Sequence, residues 1–286
     1  MPSLKDIRNR IASVASTQQI TKAMKMVSGA KMRRAHDAVL GARPYAAKLE
    51  GLVRNLAAAG EASHPLLEQR QVRRSVVIVM TSDRGLCGGF NNLLLRMVER
   101  EMRGREGVEH EIVAVGRRGR DYLRKRGFPV IDEREGVSGR ITPEFARELV
   151  EEPMARYQEG AIDEVLLAFN TFKSAISQVP TLERILPVPL PEGGGEEGGA
   201  TYLFEPREQA LLADLLPRYV ANRTLRALFE SEASEHSARM AAMDAATNNA
   251  EELIRYLTLT MNRARQAMIT KEILEIVGGA EALASD

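Results

Sequence analysis

Residues 231–268 read SEASEHSARMAAMDAATNNAEELIRYLTLTMNRARQAM, and their periodicity decides the architecture. His236, Met240, Met243, Thr247, Ala250, Ile254, Leu257, Met261, Ala264 and Met268 follow one another in alternating steps of four and three. That 3.5-residue repeat keeps one seam of a helix turned toward a partner helix. No Gly lies between Thr201 and Val277, and no Pro between Arg218 and Asp286. A helix from about Arg207 to about Leu283 would span roughly 110 Å at 1.5 Å per residue. A rod of that length needs a second helix beside it.

The N-terminus offers one. Ser3 stands three residues before Asp6 in a capping-box-like arrangement, and Leu4, Ile7, Ile11 and Val14 recur in steps of three, four and three. After Gln18 the apolar stripe shifts phase to Ile20, Met24 and Val27, with Gln18 and Thr21 in the seam. After Pro2 the next proline is Pro44, so a helix from Ser3 to about Leu56 would be roughly 80 Å long. Two shorter helices broken near Gly29 and Gly41 are the alternative, but a Gly inside a helix costs only about 1 kcal/mol. Long helices at opposite termini predict an intramolecular antiparallel coiled coil.

Between them the pattern changes. Ser75 to Thr81 is a continuous apolar, strand-rich run, as a buried parallel strand requires. A Gly-rich turn, Ser82 to Phe90, leads into a helix from Asn91 to Arg103. Glu111 to Gly116 reads as a second strand, followed by a helix from Arg117 to Arg126, and Pro129 to Ile131 as a short third. A helix from Pro143 to Gln158 precedes a strand pair, Val165 to Phe172 and Val179 to Leu186. Alternation of this kind predicts a small α/β domain with helices covering a sheet. The expected organisation is a coiled-coil helix over residues 1–56, the α/β domain over 70–190, a flexible loop and foot segment over 191–206, and a second coiled-coil helix over 207–286.

Composition narrows the function. Of 286 residues, 28% are charged and 5% aromatic, and Trp is absent, which suits long helices better than a large rigid core. Cys87 is the only cysteine, so an internal disulfide is excluded and a reducing compartment is expected. No apolar run reaches membrane-spanning length, and no signal-peptide core opens the chain. Charge is segregated: residues 1–34 hold eight basic side chains against Asp6 alone, and residues 269–286 hold four acidic ones against Lys271 alone. A basic helix suits acidic partners or nucleic acid. The turn after Thr81 carries neither G-x-x-x-x-G-K-[ST] nor G-x-G-x-x-G, and its Asp83 and Asn91 read as local hydrogen-bonding residues. His36, His64, His110 and His236 are too scattered for a metal site. No catalytic residue, cofactor or metal ligand is expected. His236 reads as a packed polar residue of the seam.

Three separated segments resemble one family. Residues 269–282, ITKEILEIVGGAEA, with Asn262 to Ala267 and Ala238 to Met243 before them, are similar to the C-terminal signature of the gamma subunit of F-type ATP synthases. Ile7 to Ile11 and Gln19 to Val27 resemble that family's N-terminal helix, and Thr81 to Asn91 its first strand and turn. The resemblance covers nearly the whole chain in order. It implies a long antiparallel two-helix coiled coil with a small Rossmann-like α/β domain between the helices. The implied function is the central-stalk rotor, non-catalytic itself, coupling rotation of the membrane c ring to ATP synthesis or hydrolysis in a hexamer of alpha and beta subunits.

Roles follow from the same resemblance. Lys22, Met24, Lys25, Arg239, Arg265, Gln266, Thr270 and Glu272 are expected to contact beta subunits. Many relatives carry Glu where Lys25 stands, which makes this site more basic. Ile273, Leu274, Ile276, Val277, Ala280 and Leu283 are expected to form a hydrophobic bearing, since the helix beyond Ile273 looks apolar nearly all round. Tyr202, Phe204 and Glu205 resemble the foot that lies near the c ring and the epsilon subunit. The expected place is peripheral, on the cytoplasmic face of a bacterial cell membrane, with no direct transmembrane insertion and no nucleic acid. Two other functions fit the residues: a nucleic-acid-binding coiled coil using the basic N-terminal helix, or a small α/β nucleotide-binding enzyme using the Gly-rich turn.

Overall fold

The computed structural model describes residues 3–58, 64–189 and 208–284. Two helices dominate it, α1 (Leu4–Ala58) and α5 (Glu208–Ala284). Between them come β1 (Arg74–Met80), α2 (Phe90–Arg103), β2 (Glu109–Val115), α3 (Arg117–Lys125), β3 (Val130–Arg134), α4 (Pro143–Gln158), β4 (Glu164–Phe172) and β5 (Gln178–Leu186). α1 runs unbroken through Gly29, Gly41 and Pro44, and α5 through Pro217. The chain forms two compact units, one of residues 28–239 and one of residues 1–27 with 240–286.

The sheet of the first unit has the order β3-β2-β1-β4-β5, with β5 alone antiparallel to its neighbour. Val76, Ile78 and Met80 of β1 join one core with Leu149, Val150 and Tyr157 of α4, Leu49, Val53 and Leu56 of α1, and Leu212, Leu216 and Val220 of α5. Val77 and Val79 join another with Leu94, Leu95 and Val98 of α2 and Leu123 of α3. Burial on both faces is why β1 reads as an uninterrupted apolar run and not as an alternation. Asp163, just before β4, accepts hydrogen bonds from the Arg73 and Arg74 backbone N–H groups, both at 2.9 Å. Burial works against that carboxylate, but the two N–H groups with the Arg74 and Arg70 charges outweigh it and hold its carboxyl below the usual range. A depressed pKa gives stability that is present above the unfolded value near pH ~4 and lost as pH falls through the folded one. Asp163→Asn is expected to lower unfolding free energy by about 1 kcal/mol at pH 7. The deficit should vanish in urea melts run in strong acid.

Where α5 crosses the sheet it is buried almost all round. Ala233, Ser234 and Ser237 are fully buried, and such small side chains let the helix lie close. Their hydroxyls are satisfied by Ser234 donating to the Asn170 carbonyl at 2.9 Å and Ser237 to the Ala175 carbonyl at 2.6 Å. His236 belongs here too. It is buried, but its neighbours are Ser138 Oγ at 3.4 Å, Arg239 at 3.3 Å and Glu232 at 3.8 Å. Its heptad position therefore meets a loop of the sheet unit and not a coiled-coil seam.

The second unit is the two-helix coil. Ser3 and Asp6 form the expected capping box, the Asp6 carboxylate accepting from Ser3 N–H at 3.1 Å and Ser3 Oγ accepting from Asp6 N–H at 3.2 Å. The Thr21 and Thr247 hydroxyls meet at 2.8 Å, and Lys25 Nζ lies 2.5 Å from Asp244. Residue numbers rise on one helix as they fall on the other, so the pair is antiparallel. The seam on α5 is Met243, Thr247, Ala250, Ile254, Leu257, Met261 and Ala264, with Met243, Ala250 and Leu257 buried and the other four half-buried. Met268, the next heptad position, is 48% exposed. Counting outward from Thr21 and Thr247 in equal steps, Leu4 falls opposite about Ala264, so Met268 has no helix left to face. The phase shift expected on α1 fails at Ile20 and Val27, each 57% exposed; Thr21 is buried, as its expected seam place requires, and Met24 is half-buried and Ser28 buried. Around Thr21 and Ser28 polar and small residues hold the α1 side of the seam, and Ile20, Met26 and Val27 point away from it.

Candidate functional site

The Gly-rich turn is the place where an α/β sheet of this order would hold a ligand, outside the C-terminal ends of its strands. Here side chains tie it shut. Asn91 Oδ1 accepts from Ser82 N–H at 3.0 Å, and Asn91 Nδ2 donates to Ser82 Oγ at 2.7 Å. Asp83 accepts from the Arg117 and Gly136 backbone N–H groups at 3.1 and 2.9 Å. Phe90, Cys87 and Ala238 of α5 pack together, so the helix lies against the turn. Burial pushes the Cys87 thiol up, leaving it protonated at neutral pH. Gly116, at φ 95°, passes so near β1 that a Cβ would meet the Thr81 carbonyl oxygen at 2.1 Å. Asp83 and Asn91 are local hydrogen-bonding residues, as their positions suggested.

Of the singled-out residues, Arg239 stands apart. It is in the sheet unit, its side chain 11% exposed, paired with Glu235 at 2.7 Å and reaching the Gly85 carbonyl at 3.5 Å. The others described lie in the coil unit. Lys22 is exposed and Met24 half-buried, while Lys25 already has Asp244 as a partner. Asp244 escaped notice in the sequence, where only its place between the seam residues Met243 and Thr247 marked it as a neighbour of α1. Arg265, Gln266, Thr270 and Glu272 are exposed, and none makes a side-chain hydrogen bond or ion pair among the described residues.

The tip of α5 presents large apolar side chains to its surroundings. Ile273 is 55% exposed, Leu274 65%, Ile276 72% and Val277 54%. At about 100° per residue these four and Ala280 spread over an arc of roughly 160°, with the Lys271–Glu275 pair at 3.5 Å on the other side. The apolar surface of the described tip is thus a broad face and not a complete ring. Leu283, although in the helix, has a side chain outside the described residues, and Tyr202, Phe204 and Glu205 lie outside them altogether. Sequence reading missed Met26, 68% exposed, and Tyr256 and Leu259, 64% and 59% exposed, on the outward faces of the two helices. Their signal was present: each is a large apolar residue lying off the 3.5-residue seam.

No described helix is long and apolar enough to cross a membrane. An apolar face exposed in this way on a two-helix coil calls for other chains to cover it. Comparisons with known proteins give the chain a family. The ATP synthase family model matches residues 3–283. An ATP synthase gamma chain from Anaeromyxobacter sp. (strain Fw109-5) is 51% identical over 289 residues, covering 99% of this chain and all of that one. One from Pelotomaculum thermopropionicum is 49% identical over 284 residues with the same coverage. Among solved structures, a chain of the Euglena gracilis mitochondrial ATP synthase OSCP/F1/c-ring matches with TM-score 0.68 at 21% identity, over 98% of this chain and 94% of that one. A chain of the Tetrahymena thermophila central stalk/c-ring matches with TM-score 0.60 at 26% identity, over 79% and 99%. The chain belongs to the ATP synthase gamma-chain family. A central-stalk rotor role, without a catalytic centre of its own, goes with that membership.

Proposed function

We propose that the paired helix ends are the turning shaft and that the tip of α5 rotates within a sleeve of alpha and beta subunits in the catalytic hexamer. One observation carries this reading: Ile273, Leu274, Ile276 and Val277 are each more than half exposed on a helix end that has outrun its partner. An apolar face of that size calls for a cover, and contacts without directional bonds slide at little cost. Just before it, the unpaired Arg265, Gln266, Thr270 and Glu272 supply charge and hydrogen-bonding groups for a beta-subunit loop that must be gripped and released. Lys22 and Lys25, with the half-buried Met24 between them, meet an acidic beta-subunit segment, and Asp244 holds Lys25 in place. The burial of Arg239 favours a role in setting α5 on the sheet over direct contact with a beta subunit. The c ring and the epsilon subunit are the partners at the foot, assigned to Tyr202, Phe204 and Glu205. The proposed location is peripheral, on the cytoplasmic face of a bacterial membrane, supported by bacterial relatives and by the lack of a membrane-crossing helix among those described.

The grip is tested by truncation. Arg265→Ala removes a charge-assisted contact of roughly 1.5–3 kcal/mol, so steady-state ATP hydrolysis of the reconstituted complex should fall while the free subunit keeps its helicity. Adding Gln266→Ala should cost less than the sum of the single changes, because neighbours on one loop couple. Normal turnover in the double variant would place the grip elsewhere.

A further inference from the structure

At the β3 edge of the sheet a groove of about 280 Å³ opens between β3 and α4. Its floor is apolar, formed by Val113, Ile131, Leu149 and Pro153. Register places Ile131 there: β2 residues Ile112 and Val113 pair with Val130 and Asp132, so Ile131 is an extra, bulged residue. It is 42% exposed. A bulge on an edge strand blunts addition of another strand and re-aims a side chain. The groove is therefore shaped for a side chain more than for a backbone.

Its rim is acidic after its own cations are accounted for. Arg134 pairs with Asp132 at 3.0 Å and Arg156 with Glu111 at 2.6 Å. Glu148, Glu151 and Glu152 line the same groove, are exposed, and form no ion pair among the described residues. Pro153, inside α4, adds a rigid apolar ring to the floor.

We propose that this groove is an interaction surface that receives an arginine side chain from a partner polypeptide. The methylene stem would lie on Ile131, Leu149 and Pro153, as long cationic side chains lie on apolar surface. The guanidinium would reach the rim carboxylates, whose number suits five donors in a planar fork better than a single ammonium. The same rim repels phosphate, which excludes nucleic acid as the occupant. This surface is in the sheet unit and is independent of the grip and tip residues discussed above.

The test is a calorimetric titration of the full chain with acetyl-Arg-Arg-Arg-amide. Saturable binding is expected, weakened about tenfold in Glu148→Gln/Glu151→Gln/Glu152→Gln, the loss of one charge-assisted contact or more. A control with equal charge change at exposed, unpaired sites, Glu106→Gln/Glu109→Gln/Glu159→Gln, should leave the affinity nearly unchanged. Equal losses in the two triple variants would reduce the effect to bulk charge and overturn the site. So would tri-lysine or spermidine binding as tightly as the arginine peptide, because the fork would then have no part in it.

Discussion

Met243→Pro in α5 is expected to uncouple ATP hydrolysis from proton transport while leaving the sheet unit folded. Met243 is 5% exposed in the seam, and its carbonyl accepts the Thr247 hydroxyl at 2.7 Å. Proline there removes one helical hydrogen bond and drives its ring into the preceding turn, costing about 3 kcal/mol or more. Emptying a buried seam position adds roughly 2 kcal/mol or more. Neither loss reaches the cores on the two faces of the sheet, which draw on residues of the other unit. In the proposed shaft, however, α5 carries torque, and a kink at Met243 would let it bend instead of turn. The measurement is proton uptake against ATP hydrolysis in reconstituted vesicles. Undiminished coupling in an assembled variant would show that stiffness at Met243 is not required.

The architecture was legible because it is written in periods. The 3.5-residue repeat of α5 and the all-apolar run of β1 each follow from one physical demand, a seam in the first case and burial on both faces in the second. Misreadings arose where that demand changes along a single helix. His236 continues the heptad spacing, yet at that point α5 is enclosed by the sheet unit, so spacing alone could not tell a seam from a core. Met268 also keeps the spacing, but its exposure depends on where α1 stops, a property of the other end of the chain. On α1 the hydrophobicity of Ile20 and Val27 outweighed their phase. Ser28 is inside instead, beside Thr21, whose expected seam place is tolerated because Thr247 offers it a hydroxyl partner. Contact residues such as Arg265 and Thr270 are a different case. Nothing in an isolated chain singles out an exposed arginine, and only family resemblance separated these from the other exposed charges.

Ile276→Asp is expected to abolish assembly with the hexamer at neutral pH while leaving the isolated chain intact. The side chain is 72% exposed when the chain is alone, so replacing it there should shift stability by no more than about 0.5 kcal/mol. Enclosed in an apolar sleeve, the new carboxylate would face surroundings with no cation to pair with. Its charge then costs several kcal/mol or its pKa rises until it binds a proton. Two controls separate charge from shape. Ile276→Ala removes contact area without adding charge, and about 1–2 kcal/mol of lost burial should weaken assembly without preventing it. Acidification should partly restore assembly of Ile276→Asp, because the protonated acid is neutral, and should do nothing for Ile276→Ala. Gel filtration of reconstituted complexes across pH reads all three. Assembly of Ile276→Asp at neutral pH as complete as that of the unaltered chain would mean that the tip turns in water, and the bearing would have to be sought on the outward face of the coil around Met26, Tyr256 and Leu259.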